Sequence, residues 1–195
     1  MTKVLIIGSS HVNRFEKFVK EQGLENFNIE SNVDVRFCGI SGGKITSTAH
    51  VNRLSRAIEL QRPEFVIVQI GGNDIDSTDM GNDNVECVML RLVNLCELFS
   101  SKYKLTRVFI NQLLPRSKTR NISTDLYNEY VHQANKVLKR EAMPRESIVY
   151  WKLKGFSHPT ETVFADGVHM NQSGFRKYYR HIRGAILHGI GSMAL

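Results

Sequence analysis

The chain is poor in the residues that staple small extracellular folds, with three cysteines and four prolines among 195 residues. Cys38, Cys87 and Cys96 are odd in number, sit within apolar runs and show no ligand spacing. Buried thiols in a reducing compartment are therefore expected, rather than disulfides or a metal centre. No apolar run approaches membrane-spanning length. The first residues, Met1-Thr2-Lys3-Val4-Leu5, lack the length and cleavage pattern of a signal peptide. These absences predict a cytoplasmic protein, and they are equally compatible with a domain of a longer one. Without internal repeats, low-complexity tracts or a Pro/Gly-rich linker, one domain over residues 1–195 is expected, long enough to bury a substantial core.

What is present is an ordinary globular composition, 42% hydrophobic and 23% charged, with a formal charge of +7. That excess favours weak attraction to anionic partners, whether nucleic acid, an anionic-lipid surface or an acidic substrate, without naming a site. Nothing in the sequence specifies an oligomeric state.

The hydrophobic pattern alternates between strand and helix periods. Val4-Leu5-Ile6-Ile7 reads as a strand, and Val12, Phe15 and Val19 as one face of a helix ending at Gly23. Val33 to Cys38 is a second strand, and Ile45 to Ile58 a helix that stops before Pro63. Phe65 to Ile70 is near-continuously β-branched, as a parallel strand buried on both faces requires. Helices are predicted over 85–99, 126–138 and 172–187, with strands over 107–113 and 148–150. Five strands alternating with five helices predict a three-layer α/β/α sandwich on a mostly parallel sheet, in the flavodoxin-like order 2-1-3-4-5. In that topology the loops at 8–11, 39–44 and 71–75 and the segment 155–171 converge on one edge of the sheet.

Those loops carry residues with chemistry. Ser9 and Ser10 follow Gly8 at the start of a helix, where free N–H groups favour a developing negative charge, and where serine also serves as an ordinary cap. Asp166-Gly167-Val168-His169 lets a carboxylate accept the imidazole Nδ1–H and leave Nε2 free to take a proton from a serine. Asn171 fits as the N-cap of the last helix. Asn73, within Gly71-Gly72-Asn73-Asp74, can aim its amide into the cleft, although Asn, Gly and Asp are also plain turn formers. Gly42 has no side chain, so its N–H can approach a substrate oxygen closely.

In order and position these four blocks resemble those of the SGNH (GDSL-type) hydrolases, over nearly the whole chain. Gln112-Leu113-Leu114-Pro115-Arg116 is similar to the segment after the fourth strand in the platelet-activating-factor acetylhydrolase branch. The resemblance implies Ser10 as nucleophile, His169 as general base and Asp166 as its orienting carboxylate. It implies an oxyanion hole of the Ser10 and Gly42 N–H groups and the Asn73 side chain, with no cofactor and no metal. The chain departs from the family at Ser9, where the pattern has Asp. A neutral hydrogen bond of about 1 kcal/mol would there replace a charge-assisted one roughly twice as strong.

The remaining candidates have ordinary expectations. His11 starts the first helix, as an alternative second base or as a packed or solvated residue. His50, His132, His158, His181 and His188 lack partners at useful spacing, with His158-Pro159 placed to line the cleft. Trp151, Phe156 and Phe164 are expected in the core, or else around an acyl pocket. Arg116 to Arg120 and Arg176, Lys177, Arg180 and Arg183 read as solvated basic surface, open to contact with phosphates. Two functions follow. One is a serine esterase for small acyl esters, acetyl above all. The other is a weakly active or inactive SGNH-fold module binding a lipid, an acylated ligand or nucleic acid. The basic character also resembles SGNH domains encoded by retroelements.

Overall fold

The computed structural model describes residues 1–29, 33–77, 84–158 and 163–191. Strands β1 (Thr2–Gly8), β2 (Val33–Gly39), β3 (Phe65–Gln69), β4 (Arg107–Asn111) and β5 (Ile148–Trp151) form one sheet in the order β2-β1-β3-β4-β5. Every neighbouring pair is parallel, as the predicted topology requires. The described helices are α1 (Ser10–Glu21), α2 (Thr48–Gln61), α3 (Gly72–Ile75), α4 (Val85–Tyr103), α5 (Thr124–Ala142) and α6 (Gln172–Gly191).

The pleat sorts the apolar residues of each strand into two cores. Leu5, Ile7, Val66, Val68, Val108 and Ile110 face α2, α4 and α5. Val4, Ile6, Phe65, Ile67 and Phe109 face α1 and α6, where Phe15 meets Tyr178 edge to face at 4.8 Å. Trp151, Phe156 and Phe164 belong to this second core, Trp151 at its partly buried margin, and none of them lines the cleft.

Several boundaries differ from the periodicity because side chains compete for the backbone. Helix α2 begins at Thr48 rather than Ile45, since the N–H groups of Ile45 and Thr46 donate to the Asp74 carboxylate at 3.1 and 3.0 Å, and Ser47 caps the helix. Helix α5 begins two residues earlier than the apolar stripe, capped by Ser123. The Gly71 turn winds into the short helix α3 instead of remaining open. Asn171 accepts from the Gly174 N–H at 2.9 Å, as an N-cap residue does. Of the cysteines, Cys96 is buried and Cys38 half-buried, but Cys87 is exposed, because it falls on the solvent side of α4 next to its Asn84 cap.

The chain turns sharply between β1 and α1. The Ser9 N–H donates to the Gln69 carbonyl at 3.0 Å and the Ile40 N–H to the Gly8 carbonyl at 2.8 Å, tying the ends of three strands together. At Gly8, φ is +156°, and a Cβ would lie 2.1 Å from the Gln69 carbonyl oxygen. Gly8→Ala is therefore expected to destabilise the fold by about 1–3 kcal/mol, read as a lower urea midpoint at unchanged m value. Gly191→Ala, where no described residue lies within 4 Å of the added Cβ, is the control and should not lower the midpoint.

Candidate functional site

Beneath the site the ends of β3 and β4 carry polar residues in place of apolar ones. The buried Tyr178 hydroxyl donates to Gln69 Oε1 at 3.2 Å and accepts from Asn111 Nδ2 at 2.9 Å. Gln112 accepts the Leu153 N–H at 3.1 Å and donates to the Phe156 carbonyl at 3.4 Å. Asn111 Oδ1 has no partner among the described residues, whereas both ends of the Gln112 amide are paired and fix the starting direction of the segment that leads to Asp166.

Above this floor the four loops converge, as the topology predicts, on a cleft of about 640 Å³. Ser10, in the first turn of α1, places Oγ 3.0 Å from His169 Nε2, across 159 residues of sequence. His169 Nδ1 lies 2.8 Å from Asp166 Oδ2. The other oxygen, Oδ1, accepts the N–H groups of Val168 and His169, at 3.0 and 2.6 Å. With the carboxylate accepting from Nδ1–H, the Nε2 lone pair faces the serine hydroxyl.

Electrostatics follow from these contacts. Burial pushes the Asp166 carboxyl up, but the hydrogen bonds from His169 and Val168 outweigh it and hold the acid well below its usual range. Burial lowers the His169 pKa, Asp166 opposes that, and Arg14 and Arg116 add to the lowering. The imidazole is thus neutral across a wider span of pH than an exposed one.

Gly42 and Asn73 line the same cleft as Ser10. Gly42 has φ +69°, a conformation that suits glycine, and its surroundings are open. The Asn73 amide donates one hydrogen to the Gly43 carbonyl at 3.2 Å, so only its second is available to a ligand. Asn73 Oδ1 accepts from Arg116 Nη2 at 2.8 Å, which fixes the amide with its nitrogen toward the Gly42 loop.

Arg116 corrects the expectation of a solvated basic loop. Only Ser117 to Arg120 reach solvent; Arg116 is buried, paired with the equally buried Asp76 at 2.8 Å and lying over the Tyr127 ring at 4.9 Å. Asp76 also accepts the N–H groups of Arg120 and Asn121. Two asparagines of α5 clamp the same loop through both amide atoms. Asn135 holds the N–H and C=O of Leu113, and Asn128 those of Arg116. Asn128 and Asn135 stand seven residues apart, two helical turns, and that spacing beside the basic run was the available sequence signal.

His11 is buried in α1, its ring 5.4 Å from that of His169, and its Nδ1 has no partner among the described residues. Burial, followed by the positive charges of Arg116, His169 and Arg14, pushes its pKa down to about 3, which removes it as a second base. Ser9 stands at the N-cap position, yet its side chain makes no capping bond, so the cap interaction expected of it is not formed. His50 does have a partner: its Nδ1 accepts the Lys44 N–H at 3.1 Å, steadying the loop after Gly42. His181 meets the Lys154 carbonyl, and the ring of His188 packs against Phe109 and Trp151. His158 is exposed and does not line the cleft, and Pro159 lies outside the described residues. On α6, Arg176 and Arg180 are exposed as expected, while Arg183 donates to the carbonyls of Phe27 and Asn28. Among the described residues no group of three or more His, Cys, Asp or Glu could hold a metal ion, and no helix is long and apolar enough to cross a membrane.

A doubly wound parallel sheet with a serine, a histidine and a carboxylate in hydrogen-bonded sequence at its carboxyl edge defines a class, the α/β/α hydrolases. The family model for the GDSL-like lipase/acylhydrolase family matches residues 10–177, and the chain belongs to that family. No curated protein matches it. Among solved structures it is similar to a GDSL-like lipase from Bacteroides thetaiotaomicron, at 18% identity over 96% of this chain and 88% of that one, TM-score 0.72. It is also similar to an acetylxylan esterase from Geobacillus stearothermophilus, at 17% identity over 97% and 94%, TM-score 0.70. A third is an acetyl esterase bound to an acetate ion, at 17% identity over 99% and 100%, TM-score 0.69.

The protonation of His11 couples the site to stability. The unfolded chain protonates this histidine near its ordinary value of 6.5, the folded one only near 3. Between these values the unfolded state binds the extra proton, so stability falls as pH is lowered through the window, by about 1.4 kcal/mol per pH unit. A His11→Gln variant should show a shallower dependence of unfolding free energy on pH between 6 and 4, by about one proton, in urea titrations; an unchanged slope contradicts the assignment.

Proposed function

We propose that the chain is a serine esterase acting on small acyl esters, acetyl esters above all, through an acyl-Ser10 intermediate. The observation that carries this reading is the unbroken Ser10–His169–Asp166 hydrogen-bond sequence opening on a polar cleft. Ser10 Oγ attacks the carbonyl carbon while His169 Nε2 takes its proton, and the carbonyl oxygen becomes an oxyanion. The bond to the alcohol then breaks, and the departing oxygen takes the proton from His169. Water repeats the sequence on the acyl-enzyme and releases the acid. The Ser10 and Gly42 N–H groups and the free hydrogen of the Asn73 amide are the oxyanion donors in this scheme, and Arg116 positions Asn73. Removing one such donor costs about 10²–10³ in kcat, which is the loss expected of Asn73→Ala.

The acyl preference follows from the lining. Among the described residues the cleft is lined, apart from Val168, by glycine and polar or charged side chains, which offer no apolar channel for a long chain. The names of the acetyl esterase and acetylxylan esterase neighbours point the same way. The alternative of an inactive binding module draws its support from Ser9 and from the basic surface, and loses support from the continuous proton path.

Ser10→Ala is expected to lower kcat/KM for p-nitrophenyl acetate by at least about a thousand-fold, while Ser9→Ala changes it only a few-fold. Undiminished turnover by Ser10→Ala overturns the assignment.

Because His169 must be neutral to accept a proton and its pKa is lowered, kcat/KM should rise with pH along an acid limb whose midpoint lies below 6.5. Asp166→Asn removes the group that raises that pKa, so the limb should move to still lower pH as kcat falls by roughly 10³–10⁴. A limb that stays in place argues against the Asp166–His169 pairing.

A further inference from the structure

The cleft holds more positive charge than its own carboxylates neutralise. Arg116 is matched by Asp76 at 2.8 Å, and Arg14 lies 3.6 Å from Asp166. Lys44, Lys118 and Arg120 line the same cleft, and none has a carboxylate within ion-pair distance among the described residues. Lys44 Nζ instead meets the hydroxyl of Ser77 at 3.0 Å. The buried Asp74 carboxylate lies within electrostatic reach of Lys44 and offsets part of its charge, so the excess rests chiefly on Lys118 and Arg120, which repel one another and raise the local concentration of anions.

The backbone that carries two of them is fixed. The N–H groups of Ser117 and Lys118 donate to the Gly167 carbonyl at 2.8 and 3.3 Å, and those of Arg120 and Asn121 to the buried Asp76 carboxylate. Lys118 is therefore held beside the Asp166–His169 loop, and Arg120, two residues on, is anchored to Asp76 on the same cleft wall, neither carried on a free arm. That position has chemical meaning. The alcohol leaves as it takes the proton from His169, so the side of the cleft next to the His169 loop is the leaving-group side. Lys44 follows Gly42 and Gly43 and stands on the oxyanion side.

From this we infer that the alcohol half of the ester carries an anionic group, a carboxylate, sulfate or phosphate, and that Lys118 and Arg120 hold it while the acyl group is transferred to Ser10. The inference rests on the esterase reading above and adds the substrate class to it. An anion there is attracted in the bound ester and remains attracted as the alcohol departs. The gain falls chiefly on KM and fades with salt, because both side chains are exposed.

The test compares 4-acetoxybenzoate with methyl 4-acetoxybenzoate, which share the acetyl group and the ring and differ in charge. The ratio of their kcat/KM values cancels any loss common to both. It should fall roughly ten-fold in Lys118→Ala/Arg120→Ala relative to wild type, and stay near the wild-type value in Lys118→Arg/Arg120→Lys. A ratio unmoved in the alanine variant overturns the inference while leaving Ser10-dependent turnover of the neutral ester, and with it the esterase reading, intact. A wild-type protein inert toward both esters removes the esterase reading and this inference together. Should the alanine variant fail to fold, the wild-type ratio in rising NaCl decides. A decline with salt supports the anion site, and a constant ratio overturns it.

Discussion

The buried ion pair between Asp76 and Arg116 is the constraint on which the site depends. Both side chains are almost entirely buried and meet solvent only where they line the cleft, so each is stable chiefly because the other is present and because hydrogen bonds take up the remaining capacity. Asp76 accepts from Arg116, Arg120 and Asn121, and Arg116 in turn donates to Asn73 and packs on Tyr127. The pair thereby joins the loop after β3 to the loop after β4. The second of these is also bound to Gly167, between Asp166 and His169. One largely buried contact therefore sets the amide orientation of Asn73 and the seat of the Asp166–His169 loop at once. Loss of either partner would leave the other charge buried and unpaired, a penalty of about 3–5 kcal/mol.

Burial, with the same guanidinium adding to it, lowers the pKa of the two histidines beside the pair. His11 and His169 lie 5.4 Å apart and both feel Arg116 and Arg14, yet only His169 has a carboxylate on its ring. The result is division of labour by environment. His11 is locked neutral as packing beside the site. In the proposed mechanism His169 is neutral at rest and keeps a counter-charge for the moment it becomes protonated. A base next to buried positive charge is easy to keep deprotonated and costly to charge, and Asp166 offsets that cost where the proton arrives.

Much of this was legible in the sequence, for identifiable reasons. Val4 to Ile7 and Phe65 to Gln69 are runs that only a sheet covered on both faces can bury, and the parallel order follows from their alternation with helices. Asp166 and His169 are close in sequence, and Ser10, Gly42 and Asn73 each follow a strand, so topology alone brings them to one edge. Arg116 was not legible, because its partners Asp76 and Asn73 come from another loop, and a basic run reads as solvated unless a buried acid is known to face it. Asn128 and Asn135 were missed for a related reason. They point at loop backbone, so their two-turn spacing was a sign with no side-chain partner to interpret it. Helix starts at Thr48 and Thr124 moved because Asp74 and Ser123 compete for N–H groups, an effect that hydrophobic period does not register. Cys87 belongs to an apolar stretch but lands on the outer face of α4, where one residue of phase decides exposure.

The central claim is that Ser10 is the group activated by His169, and a covalent probe tests it without assuming any natural substrate. The folded protein would be treated with a fluorophosphonate, digested, and mapped by mass spectrometry. The account predicts a single stoichiometric adduct on Ser10, formed faster as His169 loses its proton and absent from Ser10→Ala. An adduct on Ser9 instead, or no adduct on a folded protein that still hydrolyses p-nitrophenyl acetate, would contradict it.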